Sequence, residues 1–300
     1  MRISDTAHAV SPRRGVGLAF KLLLLGTVIV YAFFPIAWVA SAALNPANTL
    51  INQNLIPPNA TLDNFRRLFD ESMATEVHPY RPFALWIWNS IKVSTISSII
   101  IVGLTALAAY SFSRFRYRYR RQALLTILLV QLFPNLLAIV SLFLLLQLIG
   151  SVVPWLGLNT HGGLIAIYAG GALGFNTWLM KGYFDTIPRS LDESALVDGA
   201  TRLQIFRYIL VPLIRPILVV IGLLTFIGTY SDFILARTLL KSADEYTFAI
   251  GLTFFIRGQY QNEWGAFAAA ALIGAIPIVV LFFFLQRQLI GGLTAGAVKG

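Results

Sequence analysis

Long hydrophobic runs with at most one charge alternate along the chain with shorter polar segments that carry most of its charges. Six of these runs are long enough to cross about 30 Å of hydrocarbon at roughly 1.5 Å per residue. They cover residues 22–44, 90–113, 122–149, 162–181, 208–231 and 264–286. The pattern predicts an all-α polytopic membrane protein of six transmembrane helices. Its parts are an N-terminal segment at 1–21, a transmembrane domain at 22–290 and a C-terminal tail at 291–300.

The first run has two interpretations. Ala40, Ser41 and Ala42 match the small-residue cleavage pattern of a secretory signal. The uncharged run from Leu22 to Leu44 is 23 residues long, however, and the apolar part of a signal peptide has only about 7 to 15. We therefore expect an uncleaved first span.

Composition agrees with a membrane protein. Of the 300 residues, 57% are hydrophobic and 12% are charged, and the mean hydropathy is +0.73; soluble domains carry about 25% charged residues. The absence of cysteine excludes disulfides and thiolate metal sites. The sequence contains neither a G-x-x-x-x-G-K-[ST] phosphate loop nor His, Asp and Glu at metal-ligand spacing. We therefore predict no metal site, no cofactor bound by this chain and no enzymatic activity of its own.

The net charge of +10 is explained by topology. The basic, aromatic run from Arg114 to Arg121 is one that nucleic-acid-binding proteins also use, but here it joins two hydrophobic runs. Short loops rich in Lys and Arg remain in the cytoplasm. The predicted spans place 15 of the 23 Lys and Arg residues on the side of the two termini. We therefore expect cytoplasmic termini and no nucleic-acid partner.

Several residues in and around the spans are informative. Pro134 interrupts the third span and predicts a helix that faces protein or a cavity. Five glycines between residues 162 and 174 predict that the fourth span is central in the bundle. Arg215 near the basic end of the fifth span is interpreted as an interfacial anchor. Trp86 and Trp88 predict an interfacial belt that follows an external loop at 45–85.

The polar segment from Ser190 to Pro216 predicts two short helices joined by a tight turn. Ser190 with Glu193, and Thr201 with Gln204, have the spacing of capping boxes. Gly199 between them suits the positive φ at a helix end. Such an amphipathic pair lies in the lipid interface, packs on its own domain or docks another protein.

The same segment resembles the cytoplasmic EAA loop of ATP-binding-cassette importer permeases. The resemblance rests on Glu193-Ser194-Ala195, Asp198-Gly199-Ala200, Ile209 and Pro212, with Ser194 in place of the usual first Ala. It implies that the loop inserts into a cleft of an ATPase subunit and passes motion to the membrane helices. The coupling residues that it implies are Glu193, Ser194, Ala195, Asp198, Gly199, Ala200, Phe206, Ile209 and Pro212.

Three further stretches resemble a narrower group, the smaller permease subunits of maltose/maltodextrin importers. They are residues 158–163, 181–188 and 292–300. The resemblance implies a bacterial inner-membrane permease that forms half of a translocation pathway. Its implied partners are a second, different permease, two ATPase subunits that use ATP and Mg, and a periplasmic or extracytoplasmic sugar-binding protein. His161 in the first stretch is interpreted as a hydrogen-bonded interfacial anchor and not as a ligand.

Two contact regions follow from this resemblance. The tail residues Leu293, Thr294, Gly296 and Lys299 are expected at the ATPase interface, the alternative being a frayed terminus. An external loop is expected to reach toward the binding protein. Its residues are Arg257, Gly258, Gln259, Tyr260, Gln261 and Asn262.

Two alternatives remain at this point. One is a permease for another oligosaccharide, such as trehalose or mixed α-glucosides. The other is a secondary sugar transporter, which is expected to carry ionisable coupling groups near the bilayer midplane. Five of the six predicted spans contain no such group, and Arg215 in the fifth lies off-centre.

Overall fold

The computed structural model describes residues 12–47, 54–73, 81–132, 135–257 and 261–297, which are mostly helical. The helices are α1 (Pro12–Leu44), α2 (Asp63–Arg66), α3 (Phe83–Arg114), α4 (Arg120–Val130), α5 (Asn135–Val152), α6 (His161–Asp185), α7 (Ser190–Val197), α8 (Arg202–Gln204), α9 (Val211–Leu213), α10 (Arg215–Tyr230), α11 (Ile234–Leu239), α12 (Phe248–Leu252) and α13 (Trp264–Ala297). A π-helical stretch, Ile205–Leu210, joins α8 to α9. Two short strands, β1 (Ile256–Arg257) and β2 (Gln261–Asn262), pair antiparallel. They lie in the loop that the sequence predicts to be external, and the hairpin is named the external hairpin after that prediction.

Four helical segments in the described part of the chain are long and apolar enough to cross a membrane. They are Gly17–Leu44, Phe83–Arg114, His161–Asp185 and Trp264–Gln288. A fifth is obtained if the pair Arg202–Leu213 and Arg215–Tyr230, which meet at 77°, counts as one span. The fold is therefore helical and membrane-spanning, as the hydrophobic pattern predicts, while six continuous spans are not observed.

The third predicted span is divided. It consists of α4, 11 residues long, and α5, 18 residues long. The interruption falls between Val130 and Asn135, where the sequence predicts a disturbance; Pro134 itself lies outside the described residues. At about 1.5 Å per residue neither helix alone covers about 30 Å of hydrocarbon.

The fifth predicted span is bent at its start. Pro212 and Pro216 have no N–H, so the helix loses the bonds that these residues would give to the carbonyls four positions earlier. Ile214 leaves the helical conformation, with φ −89° and ψ 2°, and Arg215 begins α10 on the exposed surface. The chain therefore changes direction sharply, by 77°, between Leu213 and Arg215.

The second span begins earlier than predicted, at Phe83, inside the stretch that the sequence suggests is a loop. The belt interpretation is wrong for Trp86, which is buried; Trp88 is 60% exposed. Trp86 Nε1 donates to the Ala243 carbonyl at 2.9 Å, and its ring stacks on Phe254 with centroids 5.7 Å apart. These partners come from distant parts of the chain, so the local pattern does not reveal them.

Helix α3 is at the centre of the bundle, where it packs against α6 and α10. Helix α13 packs against α1 and α10. Large apolar side chains of α1 point outward, which matches a helix that faces lipid. One hydrophobic core includes Phe83, Tyr230 and Phe248; the other includes Phe184 and Ile205 and lies beside α7. The second core supports the candidate site.

Residues 158–163 form a structural junction at the end of the bundle opposite α7. Asn159, at φ 58°, accepts from the backbone N–H groups of Lys241 and Ser242 and donates to the Ser242 hydroxyl. Thr160 caps α6 by accepting from the Gly163 N–H at 3.0 Å. His161 Nε2 lies 2.9 Å from the Glu245 carbonyl oxygen, which agrees with an anchoring role. The contacts described for these polar residues therefore have a structural role: they hold neighbouring segments together at this end of the bundle.

The side chain of Gln131, the residue after α4, reaches into the backbone of α6. Gln131 Nε2 donates to the Gly171 carbonyl at 2.6 Å, and its Oε1 accepts from the Phe175 N–H at 2.7 Å. A regular α-helix joins these two backbone groups to each other. Gly174 allows this approach, because a Cβ there would overlap Ile127 and Gln131. Gly174 thus admits a neighbouring helix, as the sequence suggests, whereas a Cβ at Gly170 or Gly171 would meet nothing within 4 Å.

Candidate functional site

The candidate site is the polar pair formed by α7 and α8. Helix α7 ends in the hydrogen bonds of a Schellman turn: the Ala200 N–H donates to the Ala195 carbonyl at 2.9 Å, and the Gly199 N–H donates to the Leu196 carbonyl at 3.1 Å. Gly199 has φ 83°, as its position predicts. This turn sets the angle at which the chain leaves α7.

One of the two predicted capping boxes is observed and the other is not. Thr201 and Gln204 form a complete capping box at the start of α8, with bonds of 2.7 and 3.3 Å. The capping box expected for Ser190 and Glu193 is wrong. Arg189 is the N-cap and is already helical, and its carbonyl accepts from the Glu193 N–H at 3.0 Å. Ser190 is therefore a helical residue and has no capping hydrogen bond.

The predicted coupling residues divide into an outer and an inner group. The outer group is exposed: Glu193, Ser194, Asp198, Gly199 and Pro212. The inner group is buried or half-buried and packs in the second core: Ala195, Ala200, Phe206 and Ile209. Val197, 88% exposed, and Leu203, 69% exposed, lie beside the outer group. The site therefore presents apolar and acidic groups outward on a surface that its own core supports.

A buried ion pair fixes α7 to the end of α3. Arg114 Nε lies 2.6 Å from Asp192 Oδ2, and the side chains are 3% and 8% exposed. The pair is held by charge and not by an aligned hydrogen bond. The same guanidinium donates to the Ile187 carbonyl at 2.9 Å. In the sequence Arg114 is one of several basic residues in a loop, so its structural role is not predicted.

Additional contacts join the same elements. Arg189 donates to the Ser113 carbonyl at 3.1 Å, and Ser113 Oγ donates to Asp185 Oδ1 at 2.6 Å. Tyr110 OH donates to the Arg202 carbonyl at 3.1 Å, and its ring lies 5.1 Å from that of Phe206. These contacts therefore tie the α7–α8 region to α3, and Ser113 ties α3 to the end of α6.

The external hairpin is attached by a second buried ion pair. Arg81 bonds both carboxylate oxygens of Glu263, at 3.2 and 2.5 Å, just before α13 begins. Its guanidinium also lies 4.6 Å from the centroid of the Phe255 ring. Of the six residues expected to reach a binding protein, Arg257, Gln261 and Asn262 are in the two strands, and Gly258, Gln259 and Tyr260 lie outside the described residues.

The C-terminal residues continue α13. Leu293, Thr294 and Gly296 are in its last turns, which end at Ala297, and Lys299 lies outside the described residues. The stretch expected to be a separate tail thus begins as helix. In the part of the chain that the structure describes, His, Asp and Glu side chains form no group of three or more suited to a metal ion.

An exposed helix pair attached to long membrane helices occurs in a known family of transport proteins. Residues 99–293 match the family model described as "Binding-protein-dependent transport system inner membrane component". This chain belongs to that family. Permease subunits in this family are non-catalytic parts of transport systems, so the expectation that the chain is a permease and not an enzyme is confirmed.

Relatives of this inner membrane component match nearly its full length. The maltose/maltodextrin transport system permease protein MalG of Vibrio vulnificus (strain YJ016) is 41% identical over 271 residues, covering 89% of this chain and 90% of that protein. The maltodextrin transport system permease protein MdxG of Bacillus subtilis (strain 168) is 40% identical, covering 93% and 94%. The galactooligosaccharides transport system permease protein GanQ of the same organism is 38% identical, covering 96% and 98%.

Solved structures share the fold. A bacterial ABC transporter involved in the import of the acidic polysaccharide alginate contains a chain that matches with a TM-score of 0.70 and 22% identity. The match covers 94% of this permease and 99% of that chain. At this identity the likeness establishes the architecture alone.

Proposed function

We propose that this permease is one of two different membrane subunits of an ATP-driven maltose/maltodextrin importer. The observation that carries the proposal is the exposed α7 surface, tied to α3 through Arg114 and Asp192, in a chain whose relatives include maltodextrin permeases. The second permease completes the translocation pathway, and two ATPase subunits use ATP and Mg. A sugar-binding protein delivers the substrate from outside.

We propose six membrane crossings with both termini and α7 in the cytoplasm of a bacterial cell. In this topology α4 and α5 together form one crossing, and the bent pair α9 and α10 forms another. The excess of Lys and Arg on the side of α7 supports this orientation. The external hairpin is then on the side from which the sugar arrives.

Coupling follows from the two groups of residues at the site. The outer group, with Val197 beside it, docks in the cleft of an ATPase subunit. The inner group and the Arg114–Asp192 pair carry its displacement to α3 and α6. Closure of the ATPase pair then shifts the bundle between outward and inward openings, because a bound partner can bias two packed states.

Two more contacts belong to the proposal. The hairpin from Ile256 to Asn262 reaches toward the binding protein, held in place by Arg81 and Glu263. The C-terminal end, including Leu293, Thr294, Gly296 and Lys299, lies at the ATPase interface. Both assignments rest on position and on the resemblance of this chain to maltodextrin permeases.

A second candidate substrate is a galactooligosaccharide. The relative from the galactooligosaccharide system is about as similar as those from maltodextrin systems and covers 96% of this chain. The two candidates differ in the sugar and not in the mechanism. Uptake of labelled maltotetraose and of a labelled galactotetraose by the same reconstituted assembly distinguishes them.

Single-cysteine cross-linking tests the docking surface, since the chain contains no natural cysteine. A cysteine at Ser194 or Val197 should cross-link to a co-purified ATPase subunit, and a cysteine at the exposed Ile56 is the matched control. Cross-linking from Ile56 and not from α7 would reject the proposed orientation. Purification of a chain that moves sugar without an ATPase would reject the importer.

A further inference from the structure

A polar cavity of about 330 Å³ lies at the α7 end of the bundle, between the last turns of α3 and α6 and the segment that precedes α7. Four cationic side chains line it: Arg114, Arg120, Lys181 and Arg189. The lining also includes the Asp185 carboxylate. None of the coupling residues in the outer group lines this cavity, so it is distinct from the docking surface.

The fold holds the cationic groups in place. Arg120 donates to the Phe115 carbonyl at 3.1 Å, and Arg189 donates to the Ser113 carbonyl at 3.1 Å. Lys181 Nζ lies 2.5 Å from Asp185 Oδ2. Each of these guanidinium bonds uses one of the five N–H donors of an arginine. The cavity thus contains oriented donors with capacity for a further acceptor.

The charges define the chemistry of the ligand. The four cations face Asp185 and, behind Arg114, Asp192, which leaves an excess of two positive charges. Such an excess favours an anion. Planar guanidinium groups match the oxygens of a phosphate and form paired, charge-assisted hydrogen bonds with it.

The level of the cavity in the membrane identifies the source of that phosphate. Phe115, Tyr117 and Tyr119 are exposed and lie in the chain between Arg114 and Arg120, two residues that line the cavity. Aromatic side chains of this kind mark the headgroup layer of a membrane. Basic pockets between membrane helices at this layer bind anionic headgroups. We propose that this cavity binds the phosphate group of an anionic phospholipid.

The test uses the complete transporter assembly in nanodiscs of phosphatidylcholine that contain a fluorescent phosphatidylglycerol. The assembly with the wild-type chain should retain the labelled lipid, and Arg120→Gln with Lys181→Gln should weaken its binding by roughly tenfold or more. The matched control is Arg116→Gln with Arg118→Gln, which removes the same charge from exposed positions outside the cavity and should change binding less than about twofold. Arg120→Lys keeps the charge, loses the planar fork and should give an intermediate loss.

Three results would overturn the proposal. Equal losses in the cavity variant and in the control would mean a diffuse attraction to the basic surface. Binding of inorganic phosphate that depends on Arg120 and Lys181, without retention of the lipid, would mean a soluble phosphate source. Loss of the ATPase subunits from the cavity variant, with lipid binding unchanged, would mean that the cavity contacts a protein partner.

Discussion

Arg114 Nε lies 2.6 Å from Asp192 Oδ2, and both side chains are buried where α7 meets the end of α3. The two residues are far apart in the sequence and belong to different elements, so the contact joins the docking surface to the centre of the bundle. Because both charges are buried, the loss of one member leaves the other without its counter-charge inside the protein.

Removing one member of this pair should be more harmful than removing both. Arg114→Met or Asp192→Leu alone leaves a buried charge without its partner, which costs about 3–5 kcal/mol. The double variant leaves no such charge and should recover a large part of that loss. The measurement is the thermal inactivation midpoint of the assembly and its sugar-stimulated ATPase activity. Arg116→Met, at an exposed position, is the control, and single variants as stable as the wild type would contradict the prediction.

The turn after α7 requires a residue that tolerates positive φ. Gly199→Ala should destabilise the assembly by about 1–2 kcal/mol, because an L-residue is strained at φ 83°. A Cβ at this position meets nothing within 4 Å, so the effect is purely conformational. Gly182→Ala is the matched control, since its Cβ also meets nothing and its backbone is helical. Equal melting temperatures for the two variants would argue against the strained turn.

The stability lost on replacing Gln131 should depend on which of its two hydrogen bonds the new side chain can make. Glu can accept from the Phe175 N–H but cannot donate to the Gly171 carbonyl when it is ionised, whereas Leu leaves those two groups free to bond each other. Gln131→Glu should therefore cost about 1–3 kcal/mol more than Gln131→Leu. The melting temperatures of the two variants rank their stabilities. Hydrogen exchange at the Phe175 amide reports whether its N–H is still hydrogen-bonded. A larger loss for Leu than for Glu would exclude the bridging role.

The attachment of the external hairpin depends on a buried pair. Glu263→Gln should loosen the hairpin and cost about 3–5 kcal/mol, since the buried charge of Arg81 then lacks its carboxylate partner. Protease sensitivity between β1 and β2 and binding-protein-stimulated ATPase activity are the measurements. Arg66→Gln breaks an exposed pair with Asp63, 3.5 Å long, and should have almost no effect. Similar sensitivity in both variants would contradict the prediction.

Local chemistry in the sequence predicts part of this structure well. The Thr201–Gln204 capping box and the positive φ of Gly199 follow from residues within a few positions, and both are observed. The hydrophobic pattern is also a local property of the sequence, and it predicts the helical class. The Ser190 cap fails because Arg189 is already helical and occupies the N-cap position.

Contacts between distant segments are what the pattern misses. Arg114 looks like any basic residue of a cytoplasmic loop, and its partner Asp192 is recognisable only after folding. Trp86 is expected at an interface, but the Ala243 carbonyl and the Phe254 ring bury it. The division of the third span similarly involves Gln131, whose backbone partners are in α6.

The most direct test of the central claim is sugar uptake by proteoliposomes that contain the assembly in a known orientation. We predict maltodextrin uptake that requires ATP on the side of Val197 in α7 and the binding protein on the side of the external hairpin. Asp192→Leu should reduce uptake per ATP hydrolysed. Uptake without ATP, or with ATP needed on the hairpin side, would contradict the account.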